Sequence, residues 1–133
     1  MANDLSVTLD QSTTPWTVKI DQKNQVNEVS RSPNAQTITW QLTGNAASGS
    51  FGAINDPTHP GFAWLDPVPP NGVFGAPELK SNGNQLTISD LNNSASTSGH
   101  WVYQLWINVG GTFYKSIPIS LTLTTTSPII INK

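Results

Sequence analysis

The groups able to do chemistry are few. The chain has two histidines, His59 and His100, eight acids and no cysteine. A hydrolytic triad needs a serine, a histidine base and an aspartate that orients it. His59 stands in Asp56-Pro57-Thr58-His59-Pro60, a rigid turn, and His100 follows Gly99 at the start of a strand. Neither lies in a nucleophile elbow, so a solvated histidine is the simpler reading of each. Asp56, His59 and Asp66 share one loop-rich segment, but the acidic ligands at alternate positions of a Ca²⁺ loop are missing. Asx turns ahead of proline account for Asp56 and Asp66 more simply. Asp66 and Glu78 are the carboxylates that would approach across a loop for glycoside hydrolysis, yet nothing in the sequence raises the pKa of either. The sequence therefore predicts no catalytic residue, no metal, no cofactor and no enzyme.

The aromatic residues carry more information. Trp40, Trp101 and Trp64 alternate with aliphatic residues and read as core. Trp106 has the parity of Val102, Gln104 and Asn108, opposite to Tyr103 and Leu105. That parity sends it to the outer face of its sheet, and Trp16 reads as partly exposed as well. An outward tryptophan among Gln, Asn and Thr suits sugar stacking or a protein-contact hot spot. The bland alternative covers Trp106 with the loops of 44–84. The candidate binding residues are thus Trp106, Gln104, Asn108 and Trp16. Ile129, Ile130 and Ile131 form a second candidate contact, because an exposed triple isoleucine would be sticky. They should dock on their own domain or on a partner.

Strands must position these groups. Leu5 to Leu9, Trp16 to Ile20 and Gln36 to Leu42 alternate apolar with polar residues, with Ile38, Trp40 and Leu42 inward. A shorter strand follows at Gln25 to Val29. Gln85 to Leu91, Gly99 to Val109 and Thr112 to Leu123 alternate in the same way and form one antiparallel set. Residues 44–84 are punctuated by Gly, Pro, Asn and Asp and read as two or three short strands tied by long loops. No apolar 3.6-residue period persists, so almost no helix is expected. A two-residue Gly110-Gly111 turn would set Thr112 opposite Val109 and Tyr114 opposite Ile107. That register points Ile117, Ile119 and Leu121 at solvent, so a three-residue turn or a bulge near Lys115-Ser116 should correct it.

Composition bounds the partners. The 133 residues carry a net charge of −2, and only 11% are charged, against about 25% in ordinary domains. The six basic residues are scattered singly from Lys19 to Lys133, so no stripe neutralises phosphates and nucleic acid is not an expected partner. No run approaches the roughly 18–20 apolar residues of a membrane helix, and Met1-Ala-Asn-Asp-Leu-Ser6 is not a signal peptide. A cytoplasmic location follows, unless export takes another route.

Leu86-x-Ile88, a polar loop, Gly99 and then Tyr103-x-Leu105 resembles the E-to-F region of immunoglobulin-like sandwiches. The resemblance implies a tyrosine at the start of strand F and Leu105 at the inward position two residues later. Here the sequence departs from that pattern: the loop from Asp90 to Gly99 is longer than usual and Tyr103 lies four residues after Gly99 rather than two. The whole chain is also similar to small bacterial proteins of the DP-EP family, through Ile38-x-Trp40-x-Leu42, Asp66-Pro67, Trp101-x-Tyr103-x-Leu105 and Ser127-Pro128-x-Ile130. It departs from that pattern in carrying Pro77-Glu78 in the reverse order. Neither resemblance implies an activity.

The expectation is a single domain over residues 1–133, all-β, an immunoglobulin-like antiparallel sandwich of seven to nine strands. It would be a non-enzymatic protein-interaction or structural module, with self-association through the Trp106 face or an open strand edge. The alternative is a carbohydrate-binding module built on Trp106, Gln104 and Asn108.

Overall fold

Alternation of inward aliphatic and outward hydroxyl or amide residues builds nearly every element of the chain. The computed structural model describes residues 4–12, 16–21, 26–65, 68–116 and 128–133. Among them are eleven strands: β1 (Asp4–Asp10), β2 (Thr17–Ile20), β3 (Val26–Val29), β4 (Gln36–Leu42), β5 (Ser50–Phe51), β6 (Phe62–Trp64), β7 (Glu78–Lys80), β8 (Gln85–Asp90), β9 (Gly99–Val109), β10 (Thr112–Lys115) and β11 (Ile129–Asn132). The helical content of these residues is three single 3₁₀ turns, at Gly44–Ala46, Ser81–Gly83 and Ala95–Thr97. No helix among them is long and apolar enough to cross a membrane.

The strands form two facing sheets, an all-β sandwich as the alternation predicts, but β8 pairs with β4 and β7 in the first sheet and so does not join β9 and β10 in one antiparallel set as expected. The first runs β2-β1-β4-β8-β7 and the second β10-β9-β11-β3, with β5 and β6 also paired to β9. Both sheets are mixed rather than purely antiparallel, because β1 pairs with β4 in parallel and β11 with β3 in parallel. A parallel neighbour requires a crossover. Between β1 and β4 the chain supplies one by leaving for β3 in the opposite sheet. The strand number exceeds the expected seven to nine: the 44–84 region yields three short strands, the upper number expected of it, and the terminal Ile129–Asn132 segment adds one more.

The 11-residue β9 organises the second sheet. Its odd-numbered residues bond along one edge: Tyr103 N donates to Pro128 O, and Ser116 N donates to Leu105 O. Its even-numbered residues bond along the other: Leu65 N donates to Val102 O, and Gly52 N to Trp106 O. One long strand thus holds β10 and β11 end to end on one side and β5 and β6 on the other.

Between the sheets, Leu5, Val7, Ile38, Trp40, Leu86 and Ile88 face Tyr103, Leu105, Ile107 and Ile130, all buried. Trp40 meets Tyr103 edge-on at 5.2 Å and Phe62 at 5.4 Å, while Phe62 stacks on Tyr103. Truncating a buried aromatic of this kind costs about 3–5 kcal/mol. Trp40 Nε1–H donates to the Tyr103 hydroxyl at 2.9 Å. The phenol oxygen therefore accepts from an indole of the facing sheet, where a tyrosine corner would have the hydroxyl donate to backbone.

The β9–β10 turn has two residues, with φ of 64° at Gly110 and 88° at Gly111. Positive φ at both is the geometry of a two-residue hairpin turn that favours Gly, Asn and Asp. Thr112 pairs with Val109 and Tyr114 with Ile107, so no three-residue turn resets the register. The ladder departs at Ser116 instead. Its amide donates to Leu105 O, but the Leu105 amide donates to Ser116 Oγ at 2.9 Å, a side chain taking the place of a backbone carbonyl. Ser116 also bridges Val18 of β2, joining the two sheets at this corner. Ile117, Ile119 and Leu121 lie outside the described residues.

Candidate interaction surface

Parity on β9 turns Val102, Gln104, Trp106 and Asn108 outward, and the hairpin register adds two more outward residues. Phe113 lies opposite Asn108, and Lys115 opposite Trp106. Lys115 Nζ stands 5.6 Å from the centroid of the Trp106 ring, a cation–π contact stabilising by about 0.5–1 kcal/mol at a surface.

The other flank of Trp106 is covered by a loop. Its carbonyl accepts from Gly52 N at 3.0 Å and its amide donates to Gly61 O at 3.4 Å, so β9 grips both ends of the 52–61 segment. The loop neck closes on two glycines. A Cβ on Gly52 would overlap the His59 carbonyl oxygen, and one on Gly61 would overlap the Gly52 carbonyl oxygen. Within the loop, Asp56 Oδ1 accepts from the amides of Thr58 and His59, each at 2.9 Å, and from Thr58 Oγ1 at 3.1 Å. Those amides, His59's first, hold the Asp56 carboxyl below the usual aspartate pKa.

This Asx turn delivers the His59 ring onto the sheet. It stacks on Phe113 with centroids 4.1 Å apart and planes 9° apart, and meets Trp106 edge-on at 4.7 Å. His59 is thus a packing residue, which corrects its reading as a solvated loop histidine. Trp106 faces outward as its parity requires, but it is half-buried beneath His59 and Lys115.

The remaining candidates are dispersed. Asn108 Oδ1 accepts from Gly111 N at 3.0 Å and so serves the turn. Gln104 lies beside Ala63 of β6 on the same outer face. Trp16, 40% exposed, belongs elsewhere: it stacks on Tyr114 at 5.7 Å, and Tyr114 shares the inward parity of Ile107. Ile129–Ile131 form the strand between β9 and β3, with Ile130 fully buried in its own domain. Ile129 and Ile131 are half-buried on the outer face, Ile129 opposite Val102.

Together these residues make an unequal molecule. The outer face of the second sheet carries Ile131, Ile129, Val102, Trp106 and Phe113, all half-buried. The outer face of the first carries Ser6, Thr8, Thr39, Gln41, Gln85 and Thr87, with no apolar side chain between them. Among the described residues no three His, Asp or Glu side chains gather as a metal site; Asp66 lies outside them. His100 is exposed on β9.

Sequence reasoning missed Phe113, Lys115 and His59 as neighbours of Trp106. The first two were available from the Gly110-Gly111 register. The third had a weaker signal, the paired Gly52 and Gly61 flanking an Asx-Pro turn. Comparison with known proteins gives no match: no family model, curated protein or solved structure matches this chain.

Proposed function

We propose that this chain is a non-enzymatic interaction or structural module that engages a protein through the outer face of β9, β10 and β11, a second copy of itself being the first candidate. One observation carries this reading. The outer face of the second sheet sets Ile131, Ile129, Val102, Trp106 and Phe113 among Gln104, Asn108 and Lys115, while the outer face of the first is polar, with hydroxyl and amide side chains flanked by Asp4, Lys19, Glu78 and Lys80. Half-buried tryptophan with a cation beside it is the composition of a contact hot spot. The rigid His59–Phe113 stack limits the side-chain entropy lost on contact. Light scattering of the native chain and of Trp106→Ala tests the proposal. A dimer or larger species that falls to monomer in the variant supports it, and a monomer in both removes self-association.

A carbohydrate-binding role has its own support, at a different tryptophan. Trp16 lies nearly parallel to Tyr114, 20° between planes, and is 40% exposed, as a sugar-stacking indole would be. Quenching or a blue shift of Trp emission on sugar titration, lost in Trp16→Ala, is the outcome this reading requires.

A further inference from the structure

β8 places Leu86, Ile88 and Asp90 on one inward face, so a carboxyl occupies the third position of an apolar stripe. Asp90 is fully buried. Its backbone pairs with Gln36 of β4 and with Phe74, closing both flanks. Across the sandwich, Asn132 of β11 donates Nδ2–H to Asp90 Oδ1 at 2.9 Å and to Thr97 O at 3.0 Å. The amide orientation is fixed by these partners, because the flipped form would set its oxygen against two acceptors. Asp90 Oδ2 and Asn132 Oδ1 are left over. Both are buried acceptors without a donor from the protein.

One hydrogen satisfies both oxygens. We propose that Asp90 takes up a proton from solvent and donates it from Oδ2 to Asn132 Oδ1, closing a carboxylic acid–carboxamide ring that latches β11 to β8. Loss of that proton leaves a buried carboxylate facing an amide oxygen and loosens the latch. Burial drives the group in the same direction, pushing the Asp90 pKa up to about 6 against the opposing pull of the Asn132 N–H. No other charge is placed to reverse this among the described residues. β4, β11 and the Ala95–Thr97 turn contain no charged residue. Glu28 of β3 pairs with Lys133 at 3.1 Å on the solvent side. His100, Arg31, Glu78 and Lys80 are exposed.

The ring belongs to a wider polar end of the core. Asn92 Nδ2 donates to Val29 O and Lys133 O, and Thr97 Oγ1 donates to Asn92 Oδ1. These bonds do not titrate, so Asp90 is the switchable member. The sign follows from linkage: a carboxyl whose folded pKa is raised stabilises most below its ordinary value of 3.8, and that stability is lost as pH rises through about 6.

The test compares the native chain with Asp90→Asn, whose amide can donate to Asn132 Oδ1 at every pH. Urea unfolding from pH 4 to pH 7.5 should show the native folding constant falling about 60-fold relative to the variant. Protection of the Ile130 and Asn132 amides should fall in parallel, after correction for intrinsic exchange. A variant less stable than the native chain by a constant factor across that range overturns the proposal. Carbon-13 detection of the Asp90 carboxyl in the native chain is independent of any variant. A midpoint near 6 supports the ring, and one at or below the ordinary aspartate value overturns it.

Discussion

Replacing Tyr103 by phenylalanine isolates the hydrogen bond that joins the two sheets at their centre. Tyr103 and Trp40 are both buried, at 1% and 0% exposure, and the bond between them is 2.9 Å. Tyr103→Phe keeps the ring that stacks on Phe62 and removes one oxygen. The Trp40 indole N–H is then left in the core with no partner. The cost of an unmade buried donor is about 1–3 kcal/mol, and the small void adds little. For a domain of this size that corresponds to a fall in Tm of roughly 3–5 °C per kcal/mol. Burial raises the Tyr103 phenol above its usual pKa, so the hydroxyl stays protonated through neutral pH and ionisation does not confuse the comparison. Urea unfolding followed by tryptophan emission should show a lower midpoint with an unchanged slope. Trp40→Phe loses ring volume as well, so the double variant should cost less than the sum of the singles by about 1 kcal/mol. A Tyr103→Phe chain within about 0.5 kcal/mol of the native one would refute the reasoning.

Gly61→Ala should destabilise the chain by about 2 kcal/mol or more, since the added methyl meets the Gly52 carbonyl; loss of the ring-current shifts of His59 would mark the displaced loop. Asp56→Ala should erase the same shifts with little effect on the sandwich. In the native chain they should fade as pH falls through the depressed Asp56 pKa, because the turn's contribution is present above the ordinary value of 3.8 and lost below the folded one. Asn92→Ala removes a donor to Lys133 O, one of two donors to Val29 O and one of two acceptors within reach of Thr97 Oγ1. A loss of about 1–3 kcal/mol in chemical denaturation is expected.

The strands were legible because burial on one face writes period two into the sequence, as in Leu5-Ser6-Val7-Thr8-Leu9 and Trp101 to Val109. The two-glycine turn and its register were legible for the same local reason. Parallel pairing of β1 with β4 was not, since alternation says which face is buried but nothing of which strand lies beside which. The outward tryptophan followed from parity and its cover by the 44–84 loops was one of the two readings, but the covering residue was not legible: His59 reaches it through a loop closure between Gly52 and Gly61 that period two cannot encode. Asp90 shares the parity of Leu86 and Ile88, so its burial was readable; its position at a strand end made it look like the start of a loop.

The place of β11 between β9 and β3 has a consequence for how the chain is made. β3 pairs with no other strand among the described residues, and its register partner Ile129 lies about a hundred residues from Val26. On a ribosome, β3 and the N-terminal half of β9 must wait for that segment, with unpaired backbone on their edges. Such distant pairing slows folding and lengthens the interval in which nascent chains can join one another. A chain halted before Ile129 would keep those edges open and should be held by chaperones or aggregate.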